Sequence, residues 1–285
     1  MKTHPARIRF APVALILLAA SWGLAFVVMK DSIERQSVNS FLFSRFLLAV
    51  LVMLLIKPSV VKAINGEVLR KGFIAGLFLG AGYVLQTLGL AIAGAAITGF
   101  ITGLYVVATP LIAALILKAK ITRFTWGCVA LATAGLALLS LRGWSLGFGE
   151  FLVFLCAIAF AAHIVTLGQW SNGLDVYAMT IVQLATCTLM TGTLSFAQGY
   201  DLPVNLSGWL VVFYTAIVCT ALAFVVQTWS QAHMSATKVA VILTMEVVFA
   251  AIFALAFGGE SLTIKALFGG LMVLTAMFMI VLKES

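Results

Sequence analysis

Charge is what this sequence has least of. Only 9% of its 285 residues are Asp, Glu, Lys or Arg, where soluble domains carry about 25%. Hydrophobic residues make up 63%, and mean hydropathy is +1.17. No soluble core could hide that much apolar surface, so the surrounding solvent must be lipid. Acidic residues are the scarcer sign, nine against seventeen basic, for a net charge of +8. Such a balance invites a nucleic-acid reading. The basic residues sit in short connectors and not along one exposed face, which excludes it.

Cysteine is rare as well. Cys128, Cys156, Cys187 and Cys219 fall inside apolar runs, with no C-x-x-C spacing and no nearby histidine. They read as small packing residues, and neither a disulfide nor a metal site is expected. Enzyme motifs are missing: there is no P-loop, no H-E-x-x-H, no G-x-S-x-G and no Gly-rich dinucleotide turn. No catalytic residue and no cofactor is expected. Without an ATP site, active transport would have to use an ion gradient, exchange or the substrate's own gradient. Strict alternation of apolar and polar residues is absent too, so a membrane β-barrel is not expected.

What is present is a series of apolar runs. A helix needs about 20 apolar residues to span a bilayer. That length predicts ten spans, at 10–29, 38–57, 72–93, 96–117, 124–142, 149–170, 175–198, 207–231, 236–258 and 264–282. The first run is longer than a signal-peptide core and lacks an A-x-A site, so it reads as a transmembrane helix. Lys and Arg in the connectors set orientation. With both ends inside, the inner side holds Lys2, Arg7, Arg9, Lys57, Lys62, Arg70, Lys71, Lys118, Lys120, Arg123, Lys238 and Lys283; the outer side holds only Lys30, Arg35, Arg142 and Lys265. Both termini are therefore expected in the cytoplasm.

The chain also repeats. AGYVLQT at 81–87 and LAFVVQT at 222–228 are offset by 141 residues, which places Tyr83 on Phe224 and Gln86 on Gln227. The same offset carries Ile121-Thr122 onto Leu262-Thr263 and Ala95 onto Ala236. An odd number of helices per copy makes two copies inverted in the membrane, as in many secondary transporters. The expected units are 1–142 and 143–285, joined by a polar, Gly-rich linker at 142–149.

Several residues stand out against the apolar background. Gly72, Gly76 and Gly80 form a stripe in the third span and Gly99 and Gly103 continue the theme in the fourth; in lipid such stripes let helices approach closely. Thr98, Thr102, Tyr105 and Thr109 put hydroxyls on one helical face. Pro110 frees a carbonyl there and is the expected hinge. The hydroxyls either line a cavity or bond their own i−4 carbonyls. Trp22, Tyr83, Gln86, His163, Tyr177, Gln183 and Gln227 add aromatic and amide groups. Tyr177 lies near a span end, where aromatic belts form. His163 reads either as a hydrogen-bonded core residue or as a proton carrier.

Two formal charges lie well inside spans, Arg45 and Glu246. Burying either alone is costly. One reading pairs them as a structural salt bridge or lets Arg45 snorkel outward. The other has them flank a zwitterion, Arg45 on the carboxylate and Glu246 on the ammonium.

The segment Ser21-Trp22-Gly23-Leu24-Ala25-Phe26 followed by Lys30, then Arg45-Phe46-Leu47-Leu48-Ala49, Met245-Glu246 with Phe249-Ala250-Ala251, and Gly259-Glu260-Ser261-Leu262 resemble EamA-type members of the drug/metabolite transporter superfamily. The resemblance covers nearly the whole chain. It implies an all-α integral membrane fold of ten transmembrane helices in two inverted five-helix repeats. Helices one to four and six to nine would surround a central cavity, with five and ten peripheral. It implies export of small metabolites across the bacterial cytoplasmic membrane. Exporters of the YddG type favour aromatic amino acids; similar relatives export threonine, homoserine, cysteine-pathway metabolites or cationic drugs. The chain departs from the family pattern at Val247, where many relatives have proline, and at Ala119-Lys120, where the first repeat lacks the Gly-Glu of the second.

The expected partners are a small-molecule substrate and lipid, with no nucleic acid, and the sequence is compatible with a monomer. The expected substrate-binding set is Trp22, Arg45, Tyr83, Gln86, Thr98, Tyr105, His163, Gln227 and Glu246. An exporter of amino acids is the first expectation and an exporter of aromatic cations such as methyl viologen the second. A non-transporting membrane enzyme or scaffold is the third; it would need a cluster of catalytic groups in loops that are too short to offer one.

Overall fold

The computed structural model describes residues 11–117, 122–142, 145–234, 239, 242–243 and 245–284. The connector cations Lys2, Arg7, Arg9, Lys118, Lys120 and Lys238 lie outside them, as do Ala119, Ile121 and Ala236. The first half contains α1 (Ala11–Arg35), α2 (Val38–Ile56), a 3₁₀ turn (Pro58–Ala63), α3 (Gly66–Ile92), α4 (Ala95–Thr102), α5 (Tyr105–Leu117) and α6 (Arg123–Ser140). The linker closes as a two-residue antiparallel ladder, β1 (Leu141–Arg142) against β2 (Ser145–Leu146). The second half contains α7 (Phe148–Trp170), α8 (Val176–Gln198), α9 (Leu206–Ala216), a π-helical segment (Ile217–Leu222), α10 (Ala223–Gln231), α11 (Met245–Ala256) and α12 (Ile264–Glu284).

Among the described residues, seven helices are long and apolar enough to cross a membrane. Two of them are compound, Ala95–Ile116 and Leu206–Gln231. Three shorter apolar helices, Arg123–Leu138, Met245–Ala256 and Ile264–Met279, accompany them. Large apolar side chains such as Leu55, Leu115, Phe148, Leu206 and Phe257 point outward, as a hydrocarbon surrounding requires.

The chain turns where capping residues occur. Ser37, Asn65, Asp175 and Asn205 each accept a backbone N–H of the following first turn, starting α2, α3, α8 and α9. Side-chain oxygens at these positions satisfy donors that the helix itself leaves unpaired. Gly199 ends α8 at φ 87°, a conformation that glycine adopts without strain.

The two halves interleave. The most extensive contacts are α3 on α7 and α8, α6 on α12, α2 on α8, α1 on α11, and α5 on α7. Each pairs a helix of the first half with one of the second. α6 and α12 pack chiefly on each other. The stripe of Gly72, Gly76 and Gly80 faces α8, against Val182, Thr186 with the Gln183 backbone, and Met190. This is the close helix approach that small residues permit in lipid.

α2 is pinned to α8 along its length. Ser40 Oγ meets Ser195 Oγ at 2.7 Å, and Asn39 Nδ2 donates to Gln198 Oε1 at 2.9 Å. At the other end Tyr177 Oη donates to Met53 O at 2.7 Å, and Lys57 pairs with Asp175 at 3.6 Å. Two acidic residues of the second half clasp the first, Asp201 at the turn between α1 and α2 and Glu260 at the start of α4. Asp201 accepts from Ser37 N–H at 2.9 Å and Ser37 Oγ–H at 2.8 Å, while its carbonyl accepts from Gln36 Nε2 at 2.7 Å. Glu260 accepts from the N–H groups of Ala95 at 2.6 Å and Ala96 at 3.2 Å, capping α4 from another helix's connector, and pairs with Lys30 at 3.5 Å. The cap at α4 is supplied in trans because its own N-cap is Gly94, with no side chain to bond.

Burial pushes the Asp201 carboxyl up, but hydrogen bonds from Ser40 and Ser37 outweigh it and hold the group below its ordinary 3.8. A carboxylate depressed on folding contributes stability above its unfolded value and loses it as pH falls through the folded one. Thermal unfolding in detergent from about pH 6 to about pH 3 should therefore show an acid-side loss that Asp201→Asn diminishes. An identical acid profile in that variant would remove Asp201 from the account.

Candidate functional site

A chamber lies where the halves meet. Its wall takes Trp22, Phe26 and Met29 from α1, Arg45 from α2, Tyr83 and Gln86 from α3, and Tyr105 from the start of α5. The second half supplies Phe160 and His163 from α7, Phe224 and Gln227 from α10, and Leu243 and Glu246 at α11. The free space is about 40 Å³, room for roughly three waters. Eight of the nine expected site residues are on this wall. The ninth, Thr98, is fully buried in α4 but is not on it.

The repeated strings meet here. Tyr83 and its offset counterpart Phe224 have ring centroids 6.0 Å apart, edge to face. Gln86 and its counterpart Gln227 line the same chamber. Phe224 also contacts Trp22 at 5.6 Å and His163 at 6.0 Å, and Tyr83 contacts Phe46 and Phe160 at 5.3 Å each. Such tilted and edge-on pairs fix ring orientation, so the apolar part of the wall is a preformed aromatic cage.

Arg45 is 1% exposed and held entirely by neutral groups. Its Nε donates to Thr220 Oγ1 at 2.7 Å, and Nη2 to Tyr83 Oη and Cys219 O at 3.3 Å each; Nη1 faces Met29 Sδ at 3.4 Å. The guanidinium lies 4.6 Å from the Tyr83 ring centroid, within cation–π range. The π-helical segment makes this possible. Its looser winding lets Thr220 Oγ1 donate to Thr215 O, five residues back, at 2.8 Å. It also turns Cys219 O to accept from Trp22 Nε1 at 2.7 Å. π-bulges of this kind gather at functional sites.

Glu246 is 6% exposed. Ion pairs among the described residues include Lys30 with Glu260, Arg35 with Asp31, Lys57 with Asp175 and Lys71 with Glu67. None joins Arg45 to Glu246, so the salt bridge that the sequence suggests as one reading is not formed. Both charges face the chamber separately. Two further polar atoms there, Tyr105 Oη and Gln227 Oε1, are buried without a hydrogen-bond partner among the described residues.

His163 has a structural bond. Gln183 Nε2 donates to Met179 O at 3.0 Å, which leaves its Oε1 to accept from His163 Nε2 at 2.7 Å. Gln86 Nε2 donates to Thr102 Oγ1 at 3.2 Å, whereas Thr109 bonds its own i−4 carbonyl, Tyr105 O, at 2.7 Å. Of the hydroxyl stripe, Tyr105 lines the chamber and Thr109 takes the i−4 bond, whereas Thr102 serves Gln86 and Thr98 Oγ1 is buried without a partner among the described residues. The compound fourth helix is broken at Gly103–Leu104, two turns before the expected hinge at Pro110, which sits inside α5. Leu104 and Val106 there make 3₁₀-type bonds to Ile101 O and Gly103 O at 3.1 Å each. Val247 packs onto Gly103 at the break.

A bundle of apolar helices around a central chamber with charged and amide groups at its wall defines an integral membrane protein built to take a small solute. The chain belongs to the EamA-like transporter family, whose model matches residues 9–141 and again 147–282. It is a membrane transporter of small molecules, of the drug/metabolite transporter superfamily. A relative described as an uncharacterized transporter of Archaeoglobus fulgidus is 30% identical over 276 residues, covering 96% of this chain and 86% of the relative. A chain of known crystal structure superposes with a TM-score of 0.71 at 17% identity, covering 98% of both chains. That likeness concerns the fold alone.

Proposed function

We propose that the protein exports small zwitterionic metabolites, amino acids first, by alternating access of the central chamber. The observation that carries this reading is the pair Arg45 and Glu246, opposite charges facing one chamber without bonding each other. Arg45 takes the carboxylate and Glu246 the ammonium, each by a charge-assisted bond. Trp22, Tyr83 and Tyr105 contact the side chain of the solute, and Gln86, His163 and Gln227 orient its polar atoms. The chamber at about 40 Å³ must widen to admit an amino acid, which the alternation supplies. A YddG-type preference for aromatic amino acids fits the cage around Phe224.

In this reading ten helices cross the bacterial cytoplasmic membrane, five from 1–142 and five inverted from 143–285, with both termini in the cytoplasm. The two family matches on either side of the linker support that division. The end clasped by Glu260 and Asp201 then faces outward.

A second reading, export of aromatic cations, draws on how fully Arg45 is already occupied by Thr220, Cys219 and Tyr83. There Glu246 and the aromatics alone bind the solute. Counterflow in liposomes with phenylalanine, threonine and methyl viologen separates the two. Exchange of the amino acids is expected; movement of the dication alone would sink the amino-acid reading.

A further inference from the structure

Two hydrogen-bond relays end at the chamber, and where each begins fixes its direction. The first starts at the backbone carbonyl of Ile164 in α7, which accepts from Gln231 Nε2 at 3.0 Å. With its amino group committed there, Gln231 turns Oε1 to accept from Gln227 Nε2 at 3.3 Å. Gln227 is left presenting Oε1, an acceptor buried without a partner among the described residues. The second relay starts at Met179 O in α8, which accepts from Gln183 Nε2 at 3.0 Å. Gln183 Oε1 then accepts from His163 Nε2 at 2.7 Å. A neutral imidazole that donates from Nε2 is an acceptor at Nδ1, since the bond at one nitrogen sets the tautomer.

A carbonyl cannot donate, so neither amide can be turned round without setting two oxygens against each other. Gln231 and Gln183 are 3% and 0% exposed, so bulk solvent does not offer them another partner. Neither is on the chamber wall, yet each decides what a wall residue offers. Glu246, when ionised, offers only acceptors. The second half therefore meets a solute with three acceptor groups: Glu246, Gln227 Oε1 and His163 Nδ1. Tyr105 Oη, the other unpaired polar atom there, belongs to the first half and rotates its proton to suit.

We infer that Gln183 and Gln231 are positioning residues that make this wall a seat for a primary ammonium, whose three N–H groups match its three acceptors. This rests on the reading of Glu246 as the ammonium partner. The solute is then a primary amine, and each methyl placed on its nitrogen leaves one acceptor unbonded. The aromatic rings of the same chamber would by themselves favour the opposite, because such cages take quaternary ammonium groups. The relays decide between the two. A buried acceptor left without a donor costs more than a ring contact of this kind typically returns.

The experiment is counterflow by the full chain in liposomes, with phenylalanine and threonine and the N-methyl, N,N-dimethyl and N,N,N-trimethyl derivatives of each. Each methyl should raise KM about tenfold or more, the effect of losing one hydrogen bond to a charged group. Two variants separate this from bulk alone. Gln183→Met and Gln231→Met keep every wall residue but release one terminal acceptor each, so the KM ratio of N-methyl to parent amino acid should fall severalfold. A merely structural role would lower both fluxes together and leave that ratio unchanged. His163 is one of three histidines, so His4→Asn with His233→Asn isolates its ¹⁵N signals. These should show Nε2 protonated and Nδ1 bare, and mixed tautomers once Gln183→Met is added. Where one variant does not fold, the other relay and the methyl series of the unaltered protein still decide. Equal transport of all the derivatives, an unchanged ratio in the variants, or a protonated Nδ1 would each overturn the proposal while amino-acid flux leaves the amino-acid reading intact. If neither parent amino acid moves, that reading fails and the proposal falls with it.

Discussion

Arg45→Met should leave the protein folded, with its thermal midpoint unchanged or raised, and should cut amino-acid counterflow by a factor of about 30 or more. The first half of this expectation follows from the absence of a carboxylate beside Arg45. A buried cation held only by neutral groups carries its desolvation cost without a counter-ion, and apolar replacement of buried charges is often neutral or stabilising by about 1–4 kcal/mol. Few polar atoms are orphaned by the change. Cys219 O keeps its bond from Trp22, and Thr220 Oγ1 keeps its bond to Thr215 O. The second half follows from Arg45 taking the substrate carboxylate. Removing one member of a buried charge pair costs about 2–5 kcal/mol of binding, and each 1.4 kcal/mol or so is tenfold. Methyl viologen flux, if there is any, should not fall. A variant that melts at lower temperature would make Arg45 a structural post; full amino-acid flux would remove it from the site.

Gly76→Ala is the second change with a large expected effect, and here the loss is of fold. A Cβ at this position would lie 2.6 Å from Thr186 Cβ, 2.8 Å from Gln183 O and 3.0 Å from Gln183 Cα. Two of these neighbours are α8 backbone, so no side-chain rotation relieves the clash. Overpacking of this kind costs about 1–3 kcal/mol. The same region of α8 carries Gln183, whose amide orients His163. Thermal unfolding in detergent should fall by several degrees, and substrate affinity should weaken with it. Gly66→Ala serves as the control, since nothing lies within 4 Å of its added Cβ. Equal melting of both variants would contradict the close α3–α8 approach.

The fold was legible because lipid is an unforgiving solvent. Spans follow from run length alone, and polar residues within them have few places to go except inward. That is why Trp22, Arg45, Gln86, His163, Gln227 and Glu246 could be named together before their contacts were known. The repeat offset went further, since it matched Tyr83 to Phe224 and Gln86 to Gln227, and these pairs share one chamber. Phe160, Phe26 and Phe224 were not marked as site residues because an aromatic in an apolar run looks the same on a lipid face and in a cavity; for Phe224 the offset was the available signal. Thr98 shows the limit of periodicity, which assigns a residue to a helical face but not that face to a neighbour. The break at Gly103–Leu104 in place of Pro110 has a related cause. Proline marks where a hydrogen bond is missing, whereas the break falls where Val247 presses on a glycine from another helix. The π-helical segment carries no local signal, because its winding is coupled to bonds with Arg45 and Trp22 far away in sequence.

Interleaving of the halves has a consequence for biosynthesis. The groups that hold Arg45 are distant in the chain, Thr220 lying 175 residues downstream. At about 5–20 residues per second, a typical pace of synthesis, Arg45 waits roughly 10–35 s for it. α7 and α8 are completed only in the later part of that interval and α11 after it, so α1 and α2 leave the ribosome well before their main packing partners are made. The first half is thus a guest of the insertion machinery, its guanidinium and glutamine sheltered by something other than its own fold until the second half arrives.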